Sequence, residues 1–145
     1  MTTINVYLTF NGNCEEAFNF YRSVFGGNFQ SISRFKEMPA EEGKSIPPEE
    51  GERLMHISLQ ISKETFLMGS DTGGEWSKYY SHGNNFSLSI NTDTKEEADR
   101  LFKELSAGGQ VIMPMDVTFW GSYFGMFNDK FGIGWMISVE DKKSE

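Results

Sequence analysis

The sequence predicts an α+β fold in which duplicated βαβββ modules form a curled, mainly antiparallel sheet with the helices outside. Apolar and polar residues alternate with period two in a series of short segments, as expected for half-buried strands. Two longer segments carry an apolar stripe with the helical period instead. The order strand, helix, strand, strand, strand occurs twice along the 145 residues. We therefore place a first module at 1–74 and a second at 75–145, together in one structural domain.

The first module begins with a strand predicted over 4–10, followed by a helix. Asn13 and Glu16 have the spacing of a capping box, in which two side chains accept free N–H groups at a helix start. Apolar residues then recur at helical spacing on one face: Cys14, Ala17, Phe18, Tyr21, Val24 and Phe25. Two glycines follow and predict the helix end. Because Cys14 lies on the apolar face, we expect it to be a buried filler.

Three more strands complete the first module, at 28–38, 53–61 and 64–68. In the middle one, Ile57 and Leu59 alternate with His56 and Ser58, so we expect the imidazole on the face opposite the apolar residues. Two segments rich in Gly, Pro, Ser or acidic residues are predicted as loops, the first of them mobile and acidic: 39–52 and 69–84.

The second module repeats this order. Residues 86–90 predict a strand, and Thr94 with Glu97 predicts a capping box at the start of the second helix. The apolar face of that helix comprises Ala98, Leu101, Phe102 and Leu105. The remaining predicted elements are strands and a charged tail, at 110–118, 122–128, 134–139 and 140–145.

Charge and cysteine content exclude several classes of function. The chain has 13 Lys and Arg residues against 21 Asp and Glu residues, a net charge of −8 and a pI near 4.8. It shows no basic stripe for neutralising phosphates, so we expect no nucleic-acid or anionic-membrane partner. One cysteine excludes an intramolecular disulfide and a multi-cysteine zinc site. Neither a membrane span of ~20 apolar residues nor a signal peptide is evident, so we expect a cytoplasmic location.

Several short motifs carry a resemblance to a known family: Phe10-Asn11-Gly12-Asn13-Cys14-Glu15-Glu16-Ala17, Phe25-Gly26-Gly27, Gly69-Ser70-Asp71, Thr118-Phe119-Trp120-Gly121 and Asp129-Lys130-Phe131-Gly132. Together with the duplicated βαβββ order, they resemble the PhnB-like subgroup of the vicinal oxygen chelate superfamily. That superfamily includes glyoxalase I, bleomycin-resistance proteins and extradiol dioxygenases. The resemblance covers nearly the whole chain. It implies sheets that pair around a ligand-binding trough, and a homodimer.

Metal-dependent members of that superfamily hold one divalent ion with two ligands from each module. The resemblance places the equivalent positions at Asn5 (or Val6), His56, Asn85 and Met136. Only His56 is a strong ligand, because the thioether of Met136 suits neither hard nor borderline metals. Asparagine carries no charge to offset the desolvation of a dication. We therefore expect no metal and no other cofactor.

His56 is the foremost site candidate, as a ligand contact or an acid–base group, because imidazole exchanges a proton near neutral pH. The alternative is a half-buried histidine that hydrogen-bonds a neighbouring Ser or Asn. Tyr7 is expected on the trough face, where its hydroxyl needs a partner. Asn85 is a candidate ligand contact through its superfamily-equivalent position. His82, in a loop rich in Gly and Ser, is expected to be solvated.

Three other candidates also have both a functional and a structural interpretation. Asp71 either contacts a ligand at the trough edge or caps a turn. Trp120 lies beside a glycine in a predicted turn, from which its ring can close over a ligand. Trp135 is a candidate ligand contact, although aromatic residues at strand spacing belong mostly to cores.

Two classes of function stay open. The first is a metal-free protein that binds a small molecule in an apolar or aromatic trough, in the manner of bleomycin-resistance proteins. The second is an enzyme (a lyase, an isomerase or a dioxygenase-like catalyst) that uses a modified metal site or His56 as acid and base. Members of the subgroup are often named after a ubiquinone methyltransferase, but the sequence contains no glycine-rich strand-to-helix turn that would indicate a methyl-donor site.

Overall fold

A computed structural model of the chain describes residues 1–39 and 46–139. The chain forms two compact units, Met1–Ser81 and His82–Glu145. Within the described residues, each unit contains one α-helix and one four-stranded mixed sheet in the order strand, helix, strand, strand, strand. The predicted α+β fold with duplicated βαβββ modules is thereby confirmed.

The first unit comprises β1 (Val6–Phe10), α1 (Cys14–Phe25), β2 (Asn28–Arg34), β3 (Leu54–Gln60) and β4 (Phe66–Asp71). Its strand order is β1-β4-β3-β2. The β1–β4 pair is parallel and the other two pairs are antiparallel. Parallel neighbours need a long crossover, and here α1, β2 and β3 supply it.

One face of the first sheet packs against α1. Phe18 and Tyr21 of the helix are fully buried, and their rings meet edge to face with centroids 5.7 Å apart. Ile57 and Leu59 are fully buried as well, as their alternation with polar residues in β3 predicts. Gly69 allows the close approach of the helix, because a Cβ at this position would lie 2.7 Å from a carbon of the Phe18 ring.

Cys14 is fully buried at the start of α1, as predicted. Burial raises the pKa of its thiol far above the ordinary value, and the negative charges of Asp71 and Glu15 act in the same direction. The thiol is therefore protonated at physiological pH, and only the thiolate is a good nucleophile. Cys14 contributes packing rather than reactivity.

The strand predicted over 28–38 ends early, at Arg34. A 3-10 helix follows at Phe35–Glu37 and directs Phe35 into the interior, where its ring is 5% exposed and stacks on Trp76. The backbone N–H of Phe35 donates to the carbonyl of Arg53 at 3.0 Å. This contact joins segments that are distant in sequence, so the alternation of residues alone does not show where the strand ends.

The last strand of the first unit extends further than predicted. The sequence predicts this strand over 64–68 and a loop from Gly69, whereas β4 continues to Asp71. The extension follows from the parallel ladder with β1, which runs as far as the pair Phe10 and Asp71. Backbone pairing therefore holds residues in a strand although their composition is typical of a turn.

Two predicted segments lie wholly or partly outside the described residues. They are 40–45, within the acidic loop expected at 39–52, and the charged tail 140–145. The described part of the acidic loop contains a 3-10 helix at Pro48–Glu50. Within the described ranges, no helix combines the length and apolar character needed to cross a membrane.

The second unit comprises β5 (Leu88–Thr92), α2 (Lys95–Ser106), β6 (Gln110–Val117), β7 (Tyr123–Asn128) and β8 (Gly134–Val139). Its strand order, β5-β8-β7-β6, and its parallel β5–β8 pair repeat the topology of the first unit. The first strand begins two residues later than the predicted 86–90.

Helix α2 covers one face of the second sheet. Ala98, Leu101 and Leu105 are its buried residues. The hydroxyl of Thr94 accepts a hydrogen bond from the backbone N–H of Glu97 at 3.2 Å, which confirms the predicted N-cap. The Glu97 carboxylate does not complete the box in return. It accepts from Arg100 instead, at 2.7 Å.

Candidate functional site

The face of the first sheet turned away from α1 carries mostly hydroxyl side chains, and we call it the first open face. Cross-strand register places on it Tyr7, Thr9, Met68, Ser70, His56, Ser58, Ser31 and Ser33. None of these residues is an acid, a lysine or an arginine. The first open face therefore offers neutral hydrogen-bonding groups in a chain whose net charge is −8.

Tyr7 and His56 meet on the first open face. The Tyr7 hydroxyl oxygen lies 3.3 Å from Nδ1 of His56, and the two ring centroids are 5.8 Å apart. Strand β4 lies between β1 and β3 in the sheet. The Tyr7 side chain therefore extends across β4 to reach the imidazole. Tyr7 is 48% exposed and His56 is half-buried, so solvent or a ligand can reach the pair.

The Tyr7–His56 contact leaves Nε2 of the imidazole for other partners, since no described residue hydrogen-bonds it. If the Tyr7 hydroxyl donates to Nδ1, Nε2 carries a proton and donates to a ligand. If Nδ1–H donates to the Tyr7 oxygen, Nε2 accepts from a ligand or takes up a proton. The hydrogen bond fits the structural interpretation of His56, except that its partner is Tyr7 rather than a Ser or Asn. The available Nε2 fits the functional interpretation.

Asp71 lies at the end of β4 and is 3% exposed. Its Oδ1 accepts from the backbone N–H groups of Gly12 (2.8 Å) and Cys14 (2.9 Å), and its Oδ2 accepts from that of Leu54 (2.9 Å). The cap predicted from Asn13 is wrong, because the side chain of Asn13 makes no capping hydrogen bond. The three hydrogen bonds of the Asp71 carboxylate favour its capping interpretation, although the helix that it caps is distant in sequence.

Trp135 lies on the helix-covered side of the second sheet. It is 3% exposed, and its indole N–H donates to Oδ2 of Asp129 at 2.9 Å. Oδ1 of the same carboxylate accepts from the backbone N–H groups of Phe131 and Ile133. Trp135 therefore links strand β8 to the tight turn before it, and its position favours the core interpretation over the ligand-contact one.

The face of the second sheet turned away from α2 is more apolar, and we call it the second open face. Register places on it Ser89, Asn91, Met136, Ser138, Met126, Phe124, Met113 and Asp116. Ser138 donates to the side-chain oxygen of Asn91 at 2.7 Å. Thioether and aromatic side chains dominate the β7 side of this face.

Trp120 adjoins the second open face. It lies in the turn between β6 and β7, is 57% exposed, and meets Phe124 with ring centroids 5.8 Å apart. Hydrogen bonds in both directions between Thr118 and Ser122 close this turn. Gly121 has φ +90°, a conformation that favours glycine. The Trp120 ring is therefore exposed to solvent on a turn that these hydrogen bonds hold in place.

The four superfamily-equivalent metal positions do not form a convincing donor set. Asn5 precedes β1 and Asn85 lies in a bend before β5, so neither belongs to a strand. Met136 offers a thioether, and His56 alone offers a strong donor. Among the described residues, no group of three or more His, Cys, Asp and Glu side chains is arranged to hold a metal ion. The residues present therefore do not fit the divalent ion of the superfamily.

Two features of the molecule did not follow from the sequence. His82 is exposed, as expected, but its ring also packs over Gly132, where a Cβ would lie 2.7 Å from it. A charged cleft with Arg34 and Arg53 in its lining lies on the helix side of the first unit. Ion pairs between distant segments produce this cleft, and a single sequence carries no local signal for such pairs.

Comparisons with known proteins agree with this architecture. A family model described as 3-demethylubiquinone-9 3-methyltransferase matches residues 2–138. Protein YjdN from Escherichia coli is 32% identical over 142 residues, 94% of each chain. The crystal structure of PA1353 from Pseudomonas aeruginosa is 38% identical, with a TM-score of 0.81 over 97% of this chain and 98% of its own. The PhnB protein from Bacillus cereus is 30% identical, with a TM-score of 0.73 over 96% of this chain and 100% of its own.

More distant structures share the fold alone. A glyoxalase/bleomycin resistance protein/dioxygenase family enzyme from Burkholderia phytofirmans is 18% identical, with a TM-score of 0.59 over 92% of this chain and 95% of its own. The duplicated βαβββ units, the family match over nearly the whole length and these neighbours agree with one another. The chain belongs to the PhnB-like 3-demethylubiquinone-9 3-methyltransferase family, within the glyoxalase/bleomycin-resistance fold.

Proposed function

We propose that this protein binds a small molecule without a bound metal, and that the Tyr7–His56 pair on the first open face supplies the polar contact. The single observation that carries the proposal is the 3.3 Å contact between the Tyr7 hydroxyl and Nδ1 of His56. This contact orients the imidazole and leaves Nε2 available to a ligand. A ring held in place by a neighbour loses less freedom on binding, which favours affinity.

The ligand proposed is a small aromatic or apolar molecule with one polar group. Ser33 is paired with His56, and Ser58 and Ser70 lie on the same face, so this face carries further neutral donors and acceptors. The Tyr7 ring and the Met68 thioether lie on the same face and supply aromatic and apolar surface. Aromatic rings and thioethers both make favourable contacts with flat apolar groups.

The absence of a bound metal is part of the proposal and rests on donor chemistry. A divalent ion in a protein is normally held by several charged or imidazole donors, and the equivalent positions supply one imidazole, two amides and a thioether. Elemental analysis of protein purified without chelator tests this directly. We expect no stoichiometric divalent metal, and one bound ion per chain would contradict the proposal.

A thermal-shift screen against small aromatic compounds tests ligand binding. A ligand that binds only the native state raises the melting temperature. For the compounds that do so, we expect His56→Ala to weaken binding about tenfold. Tyr7→Phe should weaken it less, because that variant keeps the imidazole. His82→Ala is the matched control, since it removes the other histidine from an exposed site. Unchanged affinity in His56→Ala would contradict the assignment of the site.

A second candidate function is acid–base catalysis by His56, and the same contact favours it. Nε2 is accessible to take a proton from a carbon next to a carbonyl, the first step of many isomerase and lyase reactions. Deuterium exchange into a panel of small keto acids, followed by NMR in D₂O, tests this function. Exchange that is lost in His56→Ala and kept in His82→Ala would establish catalysis over binding alone.

We also propose that the protein is a cytoplasmic homodimer whose copies meet through β6 and the following turn. Val111, Ile112, Val117 and Phe119 expose between 47% and 98% of their area. Pro114 and two register shifts interrupt the backbone edge of β6, so side-chain packing rather than strand pairing is expected there. Sedimentation should give twice the 16.5 kDa chain mass, and Ile112→Lys should shift it toward the single-chain value.

A further inference from the structure

The first unit contains a cleft of about 320 Å³ on the side of the sheet that faces α1, away from the Tyr7–His56 pair. We call it the charged cleft. Its lining residues are Gly12, Glu15, Arg34, Glu49, Glu52, Arg53 and Asp71. Its volume lies at the lower end of the range of small-molecule sites, and every lining residue except the glycine is charged.

Most of the carboxylates of the charged cleft already have partners. Glu15 makes a bidentate pair with Arg34, with oxygen–nitrogen distances of 3.0 and 2.7 Å. Glu52 pairs with Lys36 at 2.5 Å, and Asp71 accepts three backbone N–H groups as described above. Glu49 is exposed, and among the described residues it has neither a hydrogen-bond nor an ion-pair partner.

Arg53 presents an unused pair of donors to the charged cleft. Its Nη1 donates to the side chain of Asn11 and the carbonyl of Thr72, both at 3.2 Å, and lies 3.5 Å from the Glu50 carboxylate. Within the described part of the chain, Nε and Nη2 make no hydrogen bond. These two groups form the edge of a guanidinium that binds a carboxylate in bidentate fashion.

Gly12 leaves one flat face of the Arg53 guanidinium uncovered. A Cβ at this position would lie 3.3 Å from Nη2, 3.4 Å from Cζ and 3.5 Å from Nε of Arg53. Gly12 also has φ +104°, which disfavours any other residue there. Backbone conformation and the absence of a side chain at Gly12 thus both keep space over the guanidinium group that carries the unused donors.

The overall charge of the lining indicates what else the ligand carries. Two arginines against four carboxylates leave the charged cleft negative, so a simple anion is disfavoured. A ligand that also brings positive charge matches both features. We propose that the charged cleft binds a small ligand with one carboxylate and two ammonium groups, as in a basic amino acid. The carboxylate pairs with Nε and Nη2 of Arg53, and the side-chain ammonium group pairs with Glu49.

Three matched compounds test this proposal by NMR titration of the backbone amides of Gly12 and Leu54. L-lysine carries all three charged groups, cadaverine lacks the carboxylate, and L-norleucine lacks the side-chain ammonium. We expect saturable shifts with L-lysine. Cadaverine should bind about tenfold more weakly because it loses the contact with Arg53, and L-norleucine about threefold more weakly because it loses the contact with the exposed Glu49. Equal affinity for all three compounds, or no saturable shift with L-lysine, would overturn the proposal.

Two variants locate the contacts in the same titration. Arg53→Gln should weaken L-lysine binding about tenfold, and Glu49→Gln should weaken it about threefold because Glu49 is exposed. Glu64→Gln is the matched control, with the same charge change at an exposed position outside the cleft. Should Arg53→Gln fail to fold, Glu49→Gln decides, since no described contact depends on that side chain. Wild-type affinity in Glu49→Gln would overturn the assignment, whatever the outcome at His56.

Discussion

The two units have the same topology but begin their helices in different ways. Helix α2 is capped by Thr94, the residue immediately before it. Helix α1 is capped by Asp71, which lies at the end of β4 and is paired with the last residue of β1. The equivalent position in the second unit, paired with the last residue of β5, is Val139. One repeat thus uses a local cap where the other uses a tertiary one.

The open faces of the units differ just as clearly. Met68 and Met136 occupy equivalent positions, each paired with the second residue of the first strand in its unit. On the neighbouring strand, His56 of the first unit corresponds to Phe124 of the second. The first open face therefore carries the imidazole and more hydroxyl groups, whereas the second carries more apolar surface. A duplicated backbone determines where side chains project, and the side chains themselves determine what each face can bind.

Replacing Asp71 is expected to have the largest effect on stability. Asp71→Ala leaves three backbone N–H groups without their acceptor, at a cost of about 3 kcal/mol or more in the free energy of unfolding. Asp71→Asn should cost less, because the amide keeps one acceptor oxygen. Urea unfolding of both variants measures the difference. A loss below about 1 kcal/mol in Asp71→Ala would show that α1 does not depend on its tertiary cap.

Gly69 offers the next test, because its equivalent in the second unit is the fully buried Ile137. A Cβ at Gly69 would lie 2.7 Å from the Phe18 ring and 2.8 Å from the carbonyl oxygen of Leu8. Gly69→Ala should therefore destabilise the protein by about 2 kcal/mol through overpacking. Gly83→Ala is a suitable control in open space. Equal stability of the two variants would mean that α1 can shift outward at little cost.

The local cap of α2 should contribute less than the tertiary cap of α1. Thr94→Ala removes one side-chain acceptor at an exposed helix end and should cost about 1 kcal/mol. Thr94→Ser keeps the hydroxyl and should retain most of the stability. The same urea unfolding measurement ranks both against Asp71→Ala. If Thr94→Ala cost as much as Asp71→Ala, the distinction between the caps would have no energetic basis.

The smallest effect is expected from ion pairs on the two helices. Arg34 pairs with Glu15 across distant segments, whereas Arg100 pairs with Glu97 and Glu104 within α2. The hydrogen bond from Arg34 holds the pKa of Glu15 below its ordinary value of 4.5. The stabilisation is therefore present above pH 4.5 and is lost as the pH falls through the lowered pKa of the folded state.

Arg34→Met is thus expected to reduce stability by less than about 1 kcal/mol at pH 7, since both side chains are partly exposed. The difference from wild type should shrink at a pH low enough to protonate Glu15 in the folded protein. Unfolding by urea at neutral and acidic pH measures both values. A difference that persists unchanged in acid would assign the effect to packing of the Arg34 side chain rather than to its charge.

Much of the fold was predictable because local patterns carry it. The apolar stripe of α1, the local cap of α2 and the alternation around Ile57 each depend on residues a few positions apart. The candidate pair was only partly predictable. Alternation predicted that Tyr7 and His56 face the expected trough, but their contact depends on β4 lying between β1 and β3. Strand order is not encoded in the period of a single strand.

The sequence by itself determined the two βαβββ repeats, the buried face of each helix and the lack of a full set of strong donors at the positions that the resemblance compares with metal ligands. These features depend on residue type and on spacings of a few residues, so they require no contact between distant segments. Only the tertiary structure decided that Asp71 caps α1, that Trp135 is buried and that two unused donors of Arg53 face the charged cleft. Each of those outcomes needs backbone groups from strands or turns far apart in the chain, and it is the parallel pairing and the close packing that bring them together.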